Sequence, residues 1–190
     1  RLPRQTLHHY PKVVSRDTSD YSFLQRRYHS LSLFGKSKGI SKEQLVKTMK
    51  HLLLALLTGI LLALAWPTYG ISLLVFVAWV PLLWVEYQLR STGKASKGKV
   101  FLCSYLSFLV WNTLTTWWIW NSSVVGSLFA FLVNSLLMSL VFLAYHIVAK
   151  RNSTKISSIF FITIWIAFEK FHHHWDCSWP WLSLGNVFSE

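Results

Sequence analysis

Charge is the scarcest property of most of this sequence. No Asp, Glu, Lys or Arg occurs from Leu52 to Val85, and none occurs from Val100 to Ala149. Only 14% of the 190 residues are charged, against about 25% in an ordinary soluble domain. The two empty stretches exclude a water-soluble helical domain, whose outward faces need polar side chains at helical spacing. One bilayer crossing takes roughly 20 apolar residues, so each stretch is long enough to cross and return. Cysteine is scarce too. Cys103 stands inside an apolar run, out of reach of the loop residue Cys177, so no disulfide is expected. A signal-peptide reading of Leu52–Trp66 fails because Trp-Pro-Thr-Tyr-Gly follows it rather than a small-residue cleavage site. A retained membrane anchor is expected.

What the chain has instead is apolar and aromatic surface, with 53% hydrophobic residues, 11 Trp and 13 Phe. Its net charge of +12 is concentrated early, with +8 in residues 1–50 and +4 in the remainder. A basic arm suits nucleic acid, but directly ahead of a hydrophobic span it reads as a cytoplasmic flank facing anionic lipid. No nucleic-acid partner is expected. Residues 1–48 hold no Trp and no long apolar run, and Gly35 to Gly39 break any periodicity. They are expected to form a basic, poorly ordered arm, with only Ser41 to Lys50 showing a helical pattern behind Ser41 in the N-cap position. Met49-Lys50 resembles a start site directly before the first apolar run, so 1–48 is expected to be an extension or translated upstream sequence.

The spacing predicts an all-α integral membrane protein, a polytopic bundle of about five transmembrane helices over 49–190. The spans are expected at about 50–66, 71–89, 100–120, 124–149 and 156–171, with an interfacial segment over 172–190. Trp66-Pro67-Thr68-Tyr69-Gly70 and Asn121-Ser122-Ser123 mark two turns without positive charge. Arg90, Lys94, Lys97 and Lys99 fill the next loop on the other side, as do Lys150, Arg151 and Lys155. The positive-inside rule then places the N-terminus in the cytoplasm and residues 172–190 outside.

Polar residues within the spans read first as packing groups. Ser127, Asn134, Met138 and Tyr145 in span four share one face, and Ser104, Ser107, Asn112 and Thr115 recur in span three. Both sets should face other helices, because an amide facing lipid is costly. Glu169, at the end of span five, needs a partner, and His172 or His173 is expected one turn on. His172-His173-His174 is not expected to bind metal, since consecutive side chains diverge. Glu169, Lys170 and Cys177 supply the residue types of a thiol acyl transfer, but nothing in the sequence gathers them around one atom. Pro180 removes a donor and disfavours helix at Trp179, so Ser178 to Gly185 should turn and lie along the interface.

Leu52-Leu53-Leu54-Ala55-Leu56-Leu57-Thr58-Gly59 followed by Leu64-Ala65-Trp66-Pro67-Thr68-Tyr69-Gly70 resembles the opening of apolipoprotein N-acyltransferases. Pro81-Leu82-Leu83 and Trp117-Trp118-Ile119-Trp120 are similar to the family's later span ends. Glu169 followed by Pro180-Trp181-Leu182-Ser183-Leu184-Gly185 resembles its Glu-aromatic-Leu-Arg segment leading into Phe-Pro-Trp-Leu. Here His172 replaces Arg, Trp179 replaces Phe and Asn186 replaces Tyr.

The resemblance covers about 49–190. It implies a bacterial inner-membrane enzyme that moves an acyl chain from phospholipid to the N-terminal amine of a diacylglyceryl-cysteine lipoprotein. It also implies a Glu-Lys-Cys triad in a nitrilase-like domain beyond Glu190, so no catalytic residue is carried over and this stretch alone is expected to be inactive. Glu169, Trp179, Pro180, Trp181 and Gly185 are the expected interface or lipid-access residues. No cofactor is implied. A transporter subunit or a non-catalytic scaffold are the alternatives, and the transporter is disfavoured by the lack of mid-depth ionisable pairs or an inverted repeat.

Overall fold

The structure is a computed structural model that describes residues 41–67, 70–92, 96–175 and 180–189. The described helices lie in one compact unit, Lys42–Glu190. The described residues are mostly helical, with turns between the helices and no strand among them. Five helices carry the fold: α1 (Lys42–Leu64), α2 (Val75–Ala78) with α3 (Val80–Ser91) as one bent unit, α4 (Ser96–Thr116), α5 (Val124–Ala149) and α6 (Thr154–His172). Single-turn 3-10 segments occupy Ser72–Leu74, Trp117–Asn121, Pro180–Leu182 and Leu184–Phe188.

The boundaries follow from local chemistry. α1 begins just after Ser41, earlier than the expected span, and an exposed Lys47–Glu43 pair at 2.7 Å supports its first turns. It ends before Pro67, and the chain reverses through Gly70 at φ 74°, whose N–H reaches the Trp66 carbonyl at 3.1 Å. Pro81 has no N–H to return to the preceding turn, so the run Ser72–Ser91 bends at Trp79. Span three ends sooner than expected. Trp117 to Asn121 leave the α-helix as a 3-10 turn, and Ser123 then caps α5 by accepting from the Gly126 N–H at 3.1 Å.

α1 packs on α4 and on the α2–α3 unit, α4 on α5, and α5 on α6. Gly59 makes the α1–α4 approach possible, since a Cβ there would lie 2.5 Å from the Ser107 carbonyl oxygen and 2.8 Å from Val110 Cβ. At the same crossing Ser107 Oγ donates to the Ala55 carbonyl at 2.8 Å. Trp79, at the bend, lies edge-on to Trp165 at 4.7 Å and Phe161 at 5.5 Å, with Phe108 at 5.8 Å. Phe108, Trp111 and Phe142 continue this aromatic core, fully buried.

The polar stripes face inward as expected. Ser127, Asn134, Met138 and Tyr145 are buried, as are Ser104, Ser107, Asn112 and Thr115. Asn134 Nδ2 donates to Asn112 Oδ1 at 2.7 Å across the α4–α5 contact, and Asn112 Nδ2 donates to the Phe108 carbonyl at 2.8 Å. The outside is apolar, with Val125 79% and Leu73 75% exposed. An apolar exterior around a Ser-, Thr- and Asn-bearing interior inverts the water-soluble pattern and fits a lipid solvent.

Among the described residues, three helical runs, Lys42–Leu64, Ser72–Ser91 and Val124–Ala149, are long and apolar enough to cross a membrane. The other two expected spans are more polar. α4 carries Lys97, Lys99 and its Ser, Thr and Asn set, while α6 holds Lys155, Glu169 and Lys170 within 19 residues.

Candidate functional site at the tryptophan-rich end

The ends of α1, α4 and α6 and the segment 180–189 meet at one end of the bundle. Basic residues gather at the other, where Arg90 Nη1 donates to the Ala149 carbonyl at 2.8 Å and His51 Nε2 meets Gln88 Oε1 at 3.0 Å. At the tryptophan-rich end Glu169 is the organising group. Its Oε1 accepts from Trp165 Nε1 at 2.8 Å, one turn back, and from the Leu184 backbone N–H at 2.9 Å. This corrects the expected pairing with His172 or His173. His172 is buried and stacks on Phe168 at 5.1 Å, while His173 Nε2 meets Ser183 Oγ at 2.9 Å. His174 Nδ1 turns back to the Lys170 carbonyl at 2.8 Å.

The segment after α6 therefore folds back as a hook. Leu182 and Val187 insert into the core at 2% and 1% exposure, which is why two short 3-10 turns persist there without a long helix. Trp181 stays half exposed and meets Trp118 edge-on at 5.8 Å, and Phe188 lies 6.1 Å from Phe76. Of the expected lipid-access residues, Glu169, Trp181 and the backbone of Pro180 belong to this hook. Gly185 lies on it exposed, with open space where a side chain would point. Trp179 and Cys177 lie outside the described residues.

An apolar groove of about 440 Å³ opens between α4 and α5. Leu109, Leu128, Phe131, Leu132, Trp117 and Trp120 line it. Thr113 and Asn121 are the polar members. The shape and lining suit a hydrocarbon chain.

Sequence reasoning missed a second polar centre at the basic end. Glu86 is 1% exposed and its Oε1 lies 2.7 Å from His146 Nδ1 and 3.5 Å from Arg90 Nε. Arg90 four residues on was a local signal; His146, 60 positions away, was not.

The family model described as "Apolipoprotein N-acyltransferase N-terminal domain" matches residues 58–190. The apolipoprotein N-acyltransferase of Chlorobaculum tepidum is 28% identical over 137 residues, covering 72% of this chain and 25% of that protein. That of Geobacter metallireducens is 31% identical over 147 residues, covering 70% of this chain and 26% of that protein. No solved structure matches significantly. The chain thus spans about a quarter of the length of these curated relatives. With an apolar exterior, membrane-length helices and a family match over 58–190, the chain belongs to the apolipoprotein N-acyltransferase family through that family's N-terminal membrane domain.

Proposed function

We propose that this domain serves an enzyme that transfers a fatty acyl chain from a phospholipid donor to the N-terminal amine of a diacylglyceryl-cysteine lipoprotein. Its part is to anchor the enzyme and to admit lipid laterally to a catalytic site beyond the tryptophan-rich end. The observation that carries this reading is the bond from the Leu184 N–H to Glu169. It pins the hook, whose Trp181 meets Trp118, the chain neighbour of the groove-lining Trp117. A phospholipid tail in that groove would leave its ester near Trp117 and Trp120, whose indole rings favour the headgroup level. In the full-length enzyme, Trp181→Ala should lower lipoprotein N-acylation by about 3- to 10-fold, the loss of one aromatic contact of about 0.5–1.5 kcal/mol. Expression and membrane insertion should not change. Unaltered N-acylation, read by mass spectrometry of a lipoprotein N-terminus, would leave Trp181 a membrane anchor only.

The orientation follows the loop charges, with the N-terminus in the cytoplasm and the tryptophan-rich end on the periplasmic side of a bacterial inner membrane. With Cys103 and Cys177 replaced by serine, a cysteine at Ser122 should label with an impermeant thiol reagent in intact spheroplasts. One at the exposed Gly98 should label only after lysis. The reverse pattern overturns the orientation.

A further inference from the structure

We propose that the basic end of the bundle holds a second lipid site, a fissure between α3 and α6 that takes the headgroup of phosphatidylethanolamine. This goes beyond acyl transfer, since the fissure lies at the end of the bundle away from Glu169 and the hook. Its cavity of about 380 Å³ is lined by Leu83, Glu86, Tyr87, Arg90, Tyr145 and Ser158, among others. Three observations point to a bound polar group. Glu86 is 1% exposed, and its Oε2 has no hydrogen-bond partner among the described residues. A buried carboxylate oxygen left in that state is costly, so a donor should fill the space beside it. Oε1 is already taken by His146 and Arg90, so the need belongs to one oxygen only.

Arg90 supplies the complementary half. Its Nη1 donates to the Ala149 carbonyl, its Nε faces Glu86, and its guanidinium lies 5.7 Å from the Tyr87 ring centroid at the edge of the same cavity. A carboxylate acceptor and a guanidinium donor lining one cavity match a headgroup that carries an ammonium and a phosphate. The charges decide between lipids. Phosphatidylethanolamine offers N–H groups to Oε2 and a phosphate to Arg90 within one net-neutral headgroup. Phosphatidylglycerol would bring an unbalanced anion beside Glu86. Phosphatidylcholine has no N–H to give to Oε2. The mouth of the fissure suits a lipid, because Ser158 and Ile162 on α6 are exposed on the apolar exterior while Leu83 and Phe161 provide apolar wall.

The test is native mass spectrometry of the chain released from nanodiscs holding equal parts of phosphatidylethanolamine, phosphatidylcholine and phosphatidylglycerol. The chain should retain phosphatidylethanolamine about 10-fold over either other lipid, a factor equivalent to about 1.4 kcal/mol. Glu86→Gln should abolish that preference. Because Glu86→Gln also touches the His146 bond, Ser158→Phe is the second variant. It narrows the mouth from an exposed position and should remove the retained lipid without lowering the melting temperature. Equal retention of the three lipids overturns the proposal. So does an unchanged preference in Ser158→Phe, or a Ser158→Phe protein that melts lower with no lipid to lose, which would mean protein fills the fissure. Displacement of the lipid by glycerophosphoethanolamine at equal concentration would assign the site to a free headgroup and overturn the lipid.

Discussion

Gly59→Leu should unseat α1 from α4 and leave little monodisperse protein after detergent extraction. The Cβ alone would sit 2.5 Å from the Ser107 carbonyl oxygen and 2.8 Å from Val110 Cβ. The first of these is backbone in the middle of a helix, so no rotamer change relieves it. Ser107 is also the residue whose hydroxyl ties the two helices together through the Ala55 carbonyl. Pushing the helices apart therefore breaks the bond as well as the packing. Overpacking a filled interior costs about 1–3 kcal/mol and sometimes more, and leucine at this crossing belongs at or above the upper end. Gly59→Ala tests the reason. Alanine should favour the helix by about 1 kcal/mol over glycine in a neutral setting, yet here it should melt below the parent. A Gly59→Ala protein that melts at or above the parent would show that the crossing has slack and that Gly59 does not set it.

Glu169→Ala should release the hook. It removes the acceptor of both the Trp165 Nε1–H and the Leu184 N–H bonds. Hydrogen bonds to charged groups contribute about 1.5–3 kcal/mol each, and this half-buried site belongs near the lower figure. Exchange of the Leu184 amide with deuterium should then quicken on the order of 10- to 100-fold, since about 1.4 kcal/mol is tenfold. The core of α5 should keep its protection. Glu169→Gln keeps an oxygen in place but loses the charge, so it should fall between the parent and alanine. If Leu184 exchanges at the parent rate in the alanine variant, Leu182 and Val187 hold the hook by burial and Glu169 is dispensable to it. The same comparison separates structure from catalysis. A released hook predicts lost N-acylation in the full-length enzyme together with the exchange change, and loss without that change would point to direct contact with lipid.

Some of this protein was legible from residue order alone. The absence of charge over Leu52–Val85 and Val100–Ala149 is a partition property that each residue carries wherever it sits, so the membrane class needed no tertiary information. The helix-breaking roles of Pro67 and Gly70 are equally local. So is the inward face of Ser127, Asn134, Met138 and Tyr145, because a periodic stripe names a face before it names a neighbour. The resemblance over 49–190 rested on the order of short motifs, and the family match over 58–190 agrees with it. The ends of spans one and three shifted because the Lys47–Glu43 pair and the Trp117–Asn121 turn are local polar interactions that hydropathy does not sense.

Which groups meet was decided only by the tertiary structure. Glu169 was singled out by its charge, but its partner is a backbone N–H 15 positions on, which no side-chain pattern announces. His172 and His173 stood at suitable helical spacing and still went elsewhere, one into an aromatic stack and one to Ser183. Glu86 and His146 are 60 residues apart on helices whose relative rotation and register place them at 2.7 Å. Burial of a side chain is written in its own helix. Pairing depends on how two helices are turned and slid against each other, and at the α1–α4 crossing a single missing Cβ at Gly59 sets how closely they approach.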